Sequence, residues 1–132
     1  MTGTLQIGKT YERVYRVESE HLIDFMGDAS PPVLATPWLI SFLERTAREA
    51  VAEDLPPGHT TVGVEITVKH FAPTPVGQEV TCTARVLGAE DGVISFQIQA
   101  RDPREKVAQG FHRRRVIDVA RFARRVQRKM SE

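Results

Sequence analysis

TPWLISFLERTAREAVAE, residues 36–53, is the longest segment of helical periodicity in this chain, and its reading decides the fold. Wound at about 100° per residue, it puts Leu39, Ile40, Leu43, Ala47, Ala50 and Val51 on one stripe. Trp38 and Phe42 fall on the opposite side, so the N-terminal half is apolar nearly all round. That is the pattern of a helix enclosed by protein. Its entrance, PPVLATP (31–37), carries three prolines, and its exit is LPPG (55–58). Proline discourages helix in the residue before it and is welcome at the first helical position, which predicts Thr36 as the N-cap and Pro37 as the first helical residue. The rigid entry has a second reading, in which it holds the Thr36 hydroxyl at a reaction centre.

Before this helix, KTYERVYRV (9–17) reads as a strand and SEHLIDFMG (19–27) as a short helix ended by Gly27. After it the chain is rich in strands. In HTTVGVEITVKHF (59–71), Val62, Val64, Ile66 and Val68 alternate with polar residues or glycine. EVTCTARVL (79–87) directs Val80, Cys82, Ala84 and Val86 to one face, and VISFQIQAR (93–101) does the same with Ile94, Phe96, Ile98 and Ala100. Between them, Asp91-Gly92 signals a tight hairpin. KVAQGFHRRRVIDV (106–119) supplies a last strand whose alternation slips at three arginines, which suggests a bulge there. One buried helix between an early strand and a run of antiparallel strands predicts a single α+β domain over residues 1–132, an antiparallel sheet wrapped around a central helix. This is the hotdog architecture. Its open sheet edge and the apolar second side of the helix call for a homodimer or a dimer of dimers.

Composition excludes several classes. Hydrophobic residues make up 41% and charged residues 27% of 132 residues, ordinary values for a globular protein. MTGTLQIGKT lacks the apolar run of a signal peptide and no stretch approaches transmembrane length, so a cytoplasmic protein without a membrane partner is expected. Cys82 is the single cysteine, and the four histidines show no ligand spacing, so neither a disulfide nor a metal or redox cofactor is expected. A net charge of +1 argues against nucleic-acid binding. Eight of the eighteen basic residues nevertheless lie in the last twenty positions. They read as a solvated terminal helix docked through Phe122 and Val126, or as a surface for an anionic partner such as the phosphates of a nucleotide-bearing substrate.

Polar residues that break the pattern carry the chemistry. Thr36, Ile40 and Glu44 are spaced by four, so a hydroxyl and a carboxylate rise along neighbouring turns of one helix flank. His70 shares strand parity with Val62, Val64, Ile66 and Val68, which turns it toward the helix, where Glu44 is its obvious partner. A histidine and a carboxylate near a hydroxyl suit general-base or nucleophilic hydrolysis. His21 and His59 read as surface residues, and His112 lies in the strand of unclear parity.

PVLATPWLISFLERTAREA, TVGVEITVKHFAPTPVGQEVT and GFHRRRVID together resemble the hotdog thioesterases typified by fluoroacetyl-CoA thioesterase, over nearly the whole chain. The most specific element is a threonine, a glutamate eight residues on and a histidine twenty-six residues further, matched by Thr36, Glu44 and His70. The resemblance implies that these three are catalytic, that Gly63 brings backbone close to the acyl group, and that Arg114 binds substrate. It implies an acyl-CoA substrate. At the position of the family's lid phenylalanine, six residues ahead of the threonine, this chain has Ser30, so a short or medium acyl group is expected rather than a fluorinated one. Either water or Thr36 attacks the thioester, Glu44 serves as base or as the attacking carboxylate, and His70 moves the proton or steadies charge. Backbone N–H groups at the start of the helix are expected to hold the oxyanion. The rival expectation is a non-catalytic acyl-CoA or acyl-carrier binding protein that uses the same pocket.

Overall fold

The computed structural model describes residues 5–131. The first four residues of the segment read as lacking a leader lie outside it. Five antiparallel strands form one sheet: β1 (Thr10–Arg16), β2 (His59–His70), β3 (Glu79–Glu90), β4 (Val93–Arg101) and β5 (Lys106–Asp118), in the order β1-β3-β4-β5-β2. The central helix α1 (Thr36–Val51) packs on one face, continued by a 3-10 turn over Ala52–Asp54, and a second helix α2 (Val119–Met130) ends the chain. No helix among the described residues is long and apolar enough to cross a membrane.

The core lies between α1 and the inward residues of β3 and β4. Val80, Cys82, Ala84, Val86, Ile94, Phe96, Ile98 and Ala100 are all fully buried, as their alternation predicts. Cys82 is one of these packing residues, and burial pushes its thiol up to about 12. The β3–β4 connection is the predicted tight hairpin: Glu90 pairs with Val93, and Asp91 and Gly92 both have positive φ, 55° and 78°, as a type I′ turn requires.

The buried stripe of α1 is rotated from the predicted one. It comprises Leu39, Phe42, Leu43, Thr46, Ala47, Ala50 and Val51. Phe42, predicted on the far side, stacks on Tyr15 with ring centroids 4.4 Å apart, and His21 meets its edge at 4.9 Å. His21 also packs on Trp38, so it is not the surface residue expected. Ile40, predicted in the stripe, is only half-buried. The ridge Thr36–Ile40–Glu44 is thereby left at the margin of the core. The segment 19–27 forms no helix: 3-10 turns at Ser19–His21 and Gly27–Ala29 replace it, and Gly27 opens the second turn rather than ending a helix.

Two register findings place the site. In β2, Gly63 pairs with Arg114 and Glu65 with Arg113, so Val64 is an extra, bulged residue. The bulge inverts parity along the strand. Ile66, Val68 and His70 face the same way as Thr61 and Gly63, whereas Val64 is exposed, contrary to the single alternation predicted. The irregularity expected at the arginines of β5 therefore belongs to its neighbour. β5 alternates without interruption through that region, and its pattern looked broken because His112 and Arg114 point inward.

Candidate active site

The N-terminal end of α1 carries the first constellation. Ala35 is the N-cap, in extended conformation and without a side-chain cap bond, so Thr36 is already helical rather than the predicted cap. Its hydroxyl is instead 2.8 Å from Nδ1 of His70, at the end of β2. The His70 ring is half-buried, and its Nε2 is a buried atom without a hydrogen-bond partner among the described residues. Burial lowers the His70 pKa from its ordinary value, with the Ala72 backbone partly opposing that shift. The imidazole is therefore neutral at pH 7, one nitrogen on the Thr36 hydroxyl and the other unmatched. At this helix start the Trp38 and Leu39 N–H groups both donate to the Ala35 carbonyl, and Pro37 has none. Of the expected oxyanion donors, these two are engaged within the helix.

The second constellation surrounds Glu44, eight residues and about 12 Å of helical rise further along α1. Glu44 Oε2 accepts from Arg114 Nη1 at 3.3 Å. It does not pair with His70, the partner predicted for it. Arg114 is 5% exposed and is held at nearly every donor: Nε gives to the Thr61 hydroxyl at 2.7 Å, Nη2 to the Thr61 carbonyl at 2.8 Å, and Nη1 also to His112 Nε2 at 3.1 Å.

His112, 1% exposed, is the residue that sequence reasoning missed. Its tautomer follows from its partners. The Glu65 carbonyl, 2.8 Å from Nδ1, can only accept, so that nitrogen carries the proton. Arg114 can only donate, so Nε2 offers its lone pair. Burial lowers the His112 pKa most, with Arg114 adding to the effect; the Glu65 carbonyl and Glu44 oppose it. A neutral His112 thus steers the guanidinium so that Nη1 reaches Glu44. The available signal was its spacing of two from Arg114 on one strand, which puts both on one face.

Gly63 explains how a carboxylate approaches the strand here. A Cβ at this position would lie 2.4 Å from Glu44 Oε2 and 3.3 Å from the His112 ring. Only a residue without a side chain leaves that space to the carboxylate. The Glu44 side chain is 42% exposed and opens into a small cavity of about 140 Å³ lined by Ser41, Arg45, Arg48 and Arg114. A basic oxygen anchored on one side and open on the other can take a proton from water or attack an electrophile. Among the described residues no three metal-ligating side chains converge.

Comparison with known proteins agrees with this architecture. Residues 17–120 match the fluoroacetyl-CoA-specific thioesterase family. The fluoroacetyl-CoA thioesterase of Streptantibioticus cattleyicolor is 33% identical over 121 residues, spanning 92% of this chain and 83% of that protein. A solved structure of a fluoroacetyl-CoA thioesterase superposes with a TM-score of 0.86 at 28% identity, over 95% of this chain and 97% of that one. A hot-dog-like protein from Thermanaerovibrio acidaminovorans gives 0.84 at 26% identity, over 93% of this chain and 91% of that one. The fold is thus that of the α+β hotdog proteins. Within that class, the chain belongs to the fluoroacetyl-CoA-specific thioesterase family.

Proposed function

We propose that this protein hydrolyses the thioester of a short or medium acyl-CoA, releasing the free acid and CoA, and that Thr36, Glu44 and His70 carry the reaction. The observation that supports this most directly is Glu44, held by Arg114 against the bare backbone of Gly63 while its other side faces a cavity. Glu44 takes a proton from the attacking water, whose oxygen bonds to the carbonyl carbon. The carbon–sulfur bond then breaks, and the sulfur leaves as the thiol once protonated. The Thr36 hydroxyl and neutral His70 form the second proton-handling pair, and Arg114 and Gly63 position substrate beside Glu44. Release of free thiol from a graded series of acyl-CoAs tests the reading. Saturable turnover that peaks at short or medium chains is expected; tight binding without thiol release overturns it in favour of a sensor or carrier-binding protein.

The proposal includes a homodimer. Within one chain the Thr36–His70 pair and Glu44 are too far apart to act on one carbonyl. β2 is an edge strand, and pairing it with a second copy about a two-fold axis extends the sheet. Such an axis reverses α1 as well, turning the Thr36 end of one helix toward the Glu44 turn of its copy. Thr36→Ala and Glu44→Gln subunits, each nearly inactive alone, are expected to regain turnover when mixed and reassembled. Only a site shared between subunits can be repaired this way, so a mixture as inactive as its components rules out sharing.

A further inference from the structure

The C-terminal helix is the part of the molecule that this chemistry leaves unused. α2 was expected to dock through Phe122 and Val126, yet neither is buried: they are 40% and 41% exposed, and no residue of α2 is buried. The helix instead stands beside the end of β5 and encloses an open groove of about 830 Å³. Its floor is Arg115 to Asp118, and its wall is Arg121, Phe122, Arg125, Arg128 and Lys129. None of these five basic side chains forms an ion pair among the described residues. The single acid of the groove, Asp118, is engaged as the N-cap of α2, accepting from the Arg121 N–H at 3.1 Å.

We infer that this groove binds the nucleotide end of the CoA thioester, its 3′-phosphate and diphosphate on the arginines and its adenine against Phe122. The inference rests on the proposed acyl-CoA hydrolysis. Charge complementarity carries it: five cations without an ion pair among the described residues converge from two elements on one concavity, matched by the several negative charges of a phosphorylated adenosine diphosphate. Guanidinium forks bind phosphate with two parallel bonds and also stack on aromatic and base planes. Concavity separates this ligand from a membrane surface, which a basic helix meets with a convex face. The groove floor starts on β5 at Arg115, next along that strand from Arg114, the residue that donates to Glu44.

The test uses the full chain and the double variant Arg125→Gln/Arg128→Gln, with circular dichroism to establish that it is folded. KM for the best acyl-CoA is expected to rise about tenfold or more with little change in kcat, the loss of one or more charge-assisted phosphate contacts. KM for the same acyl group on pantetheine, which lacks the nucleotide, is expected to stay the same. Adenosine 3′,5′-bisphosphate is expected to bind the native protein in calorimetry, more weakly as salt rises, and to bind the variant poorly. An unchanged KM for acyl-CoA, an equal rise for both substrates, or loss confined to an acyl group on an acidic carrier protein overturns the inference. Should the native protein hydrolyse neither thioester, the proposed activity fails, while calorimetry with the bisphosphate still decides the groove.

Discussion

Glu44→Gln is expected to reduce thioester turnover by about 10²-fold or more while the protein remains folded. Glutamine has the same shape and keeps an oxygen that accepts from Arg114 Nη1, so the guanidinium retains its partners at Thr61, His112 and residue 44. What it loses is basicity, because an amide oxygen cannot take a proton from water near neutral pH. A hundredfold loss corresponds to about 2.7 kcal/mol of transition-state stabilisation, within reach of one general base. The carboxylate is nearly half exposed and glutamine keeps the hydrogen bond, but the buried guanidinium loses its counter-charge. The melting point is therefore expected to fall modestly while the protein stays folded. Thiol-release kinetics alongside thermal melts separate the effects. Native-like turnover in folded Glu44→Gln removes this carboxylate from the mechanism.

The same helix shows how far sequence reading reaches. Periodicity located α1, because its apolar residues recur at helical spacing, although its N-terminal half is only partly covered, with Trp38 and Ile40 half-buried. It misassigned the inner stripe by part of a turn. Phe42 and Ile40 have equal claims by hydropathy, and the choice was made by Tyr15 and His21, which lie elsewhere in the chain and stack on Phe42. The cap error has a similar origin. Threonine before proline is a good local cap, but the structure commits its hydroxyl to His70, thirty-four residues away.

Strands β3 and β4 were legible residue by residue because each obeys an uninterrupted alternation, joined by an Asp-Gly turn. β2 and β5 were not, and the reason is physical. One inserted residue inverts every side chain beyond it, and Val64 sits among valines that disguise the insertion. His70 still faced the site, because only the half of the strand before the bulge was assigned to the wrong face. Glu44 was matched with His70 on the assumption that the nearest opposite groups pair; the inward arginine on β5 captured it instead. Buried arginine with histidine reads as surface in a sequence, since polar residues inside a strand resemble a slipped pattern. The basic tail was legible as charge and composition, but sequence alone did not show that Phe122 and Val126 stay partly exposed beside the end of β5.

His70→Gln and His70→Ala are both expected to reduce turnover by about 10²-fold or more, and to remove an acid limb from the activity profile. The sign follows from burial. The folded His70 pKa lies below the ordinary value of 6.5, so the neutral ring persists through pH 7 and into mildly acidic solution. In that form Nδ1 accepts from the Thr36 hydroxyl, or donates to it as the other neutral tautomer; protonation leaves only the donating arrangement and a buried charge. Activity should therefore hold as pH falls to 6.5 and decline below it. Stability runs in the same direction. A depressed folded value means that the contribution of His70 is present above the unfolded pKa and is lost as pH falls through the folded one. His112 is also shifted down and remains in both variants, so profiles alone do not assign the limb. Ring resonances do: the signal lost in His70→Gln should titrate below 6.5 in the native protein. Titration of that signal above 6.5, or an active His70→Gln enzyme, ends the case for His70 as a proton carrier. Glutamine can keep a hydrogen bond to Thr36, but it has no site that exchanges a proton at these pH values.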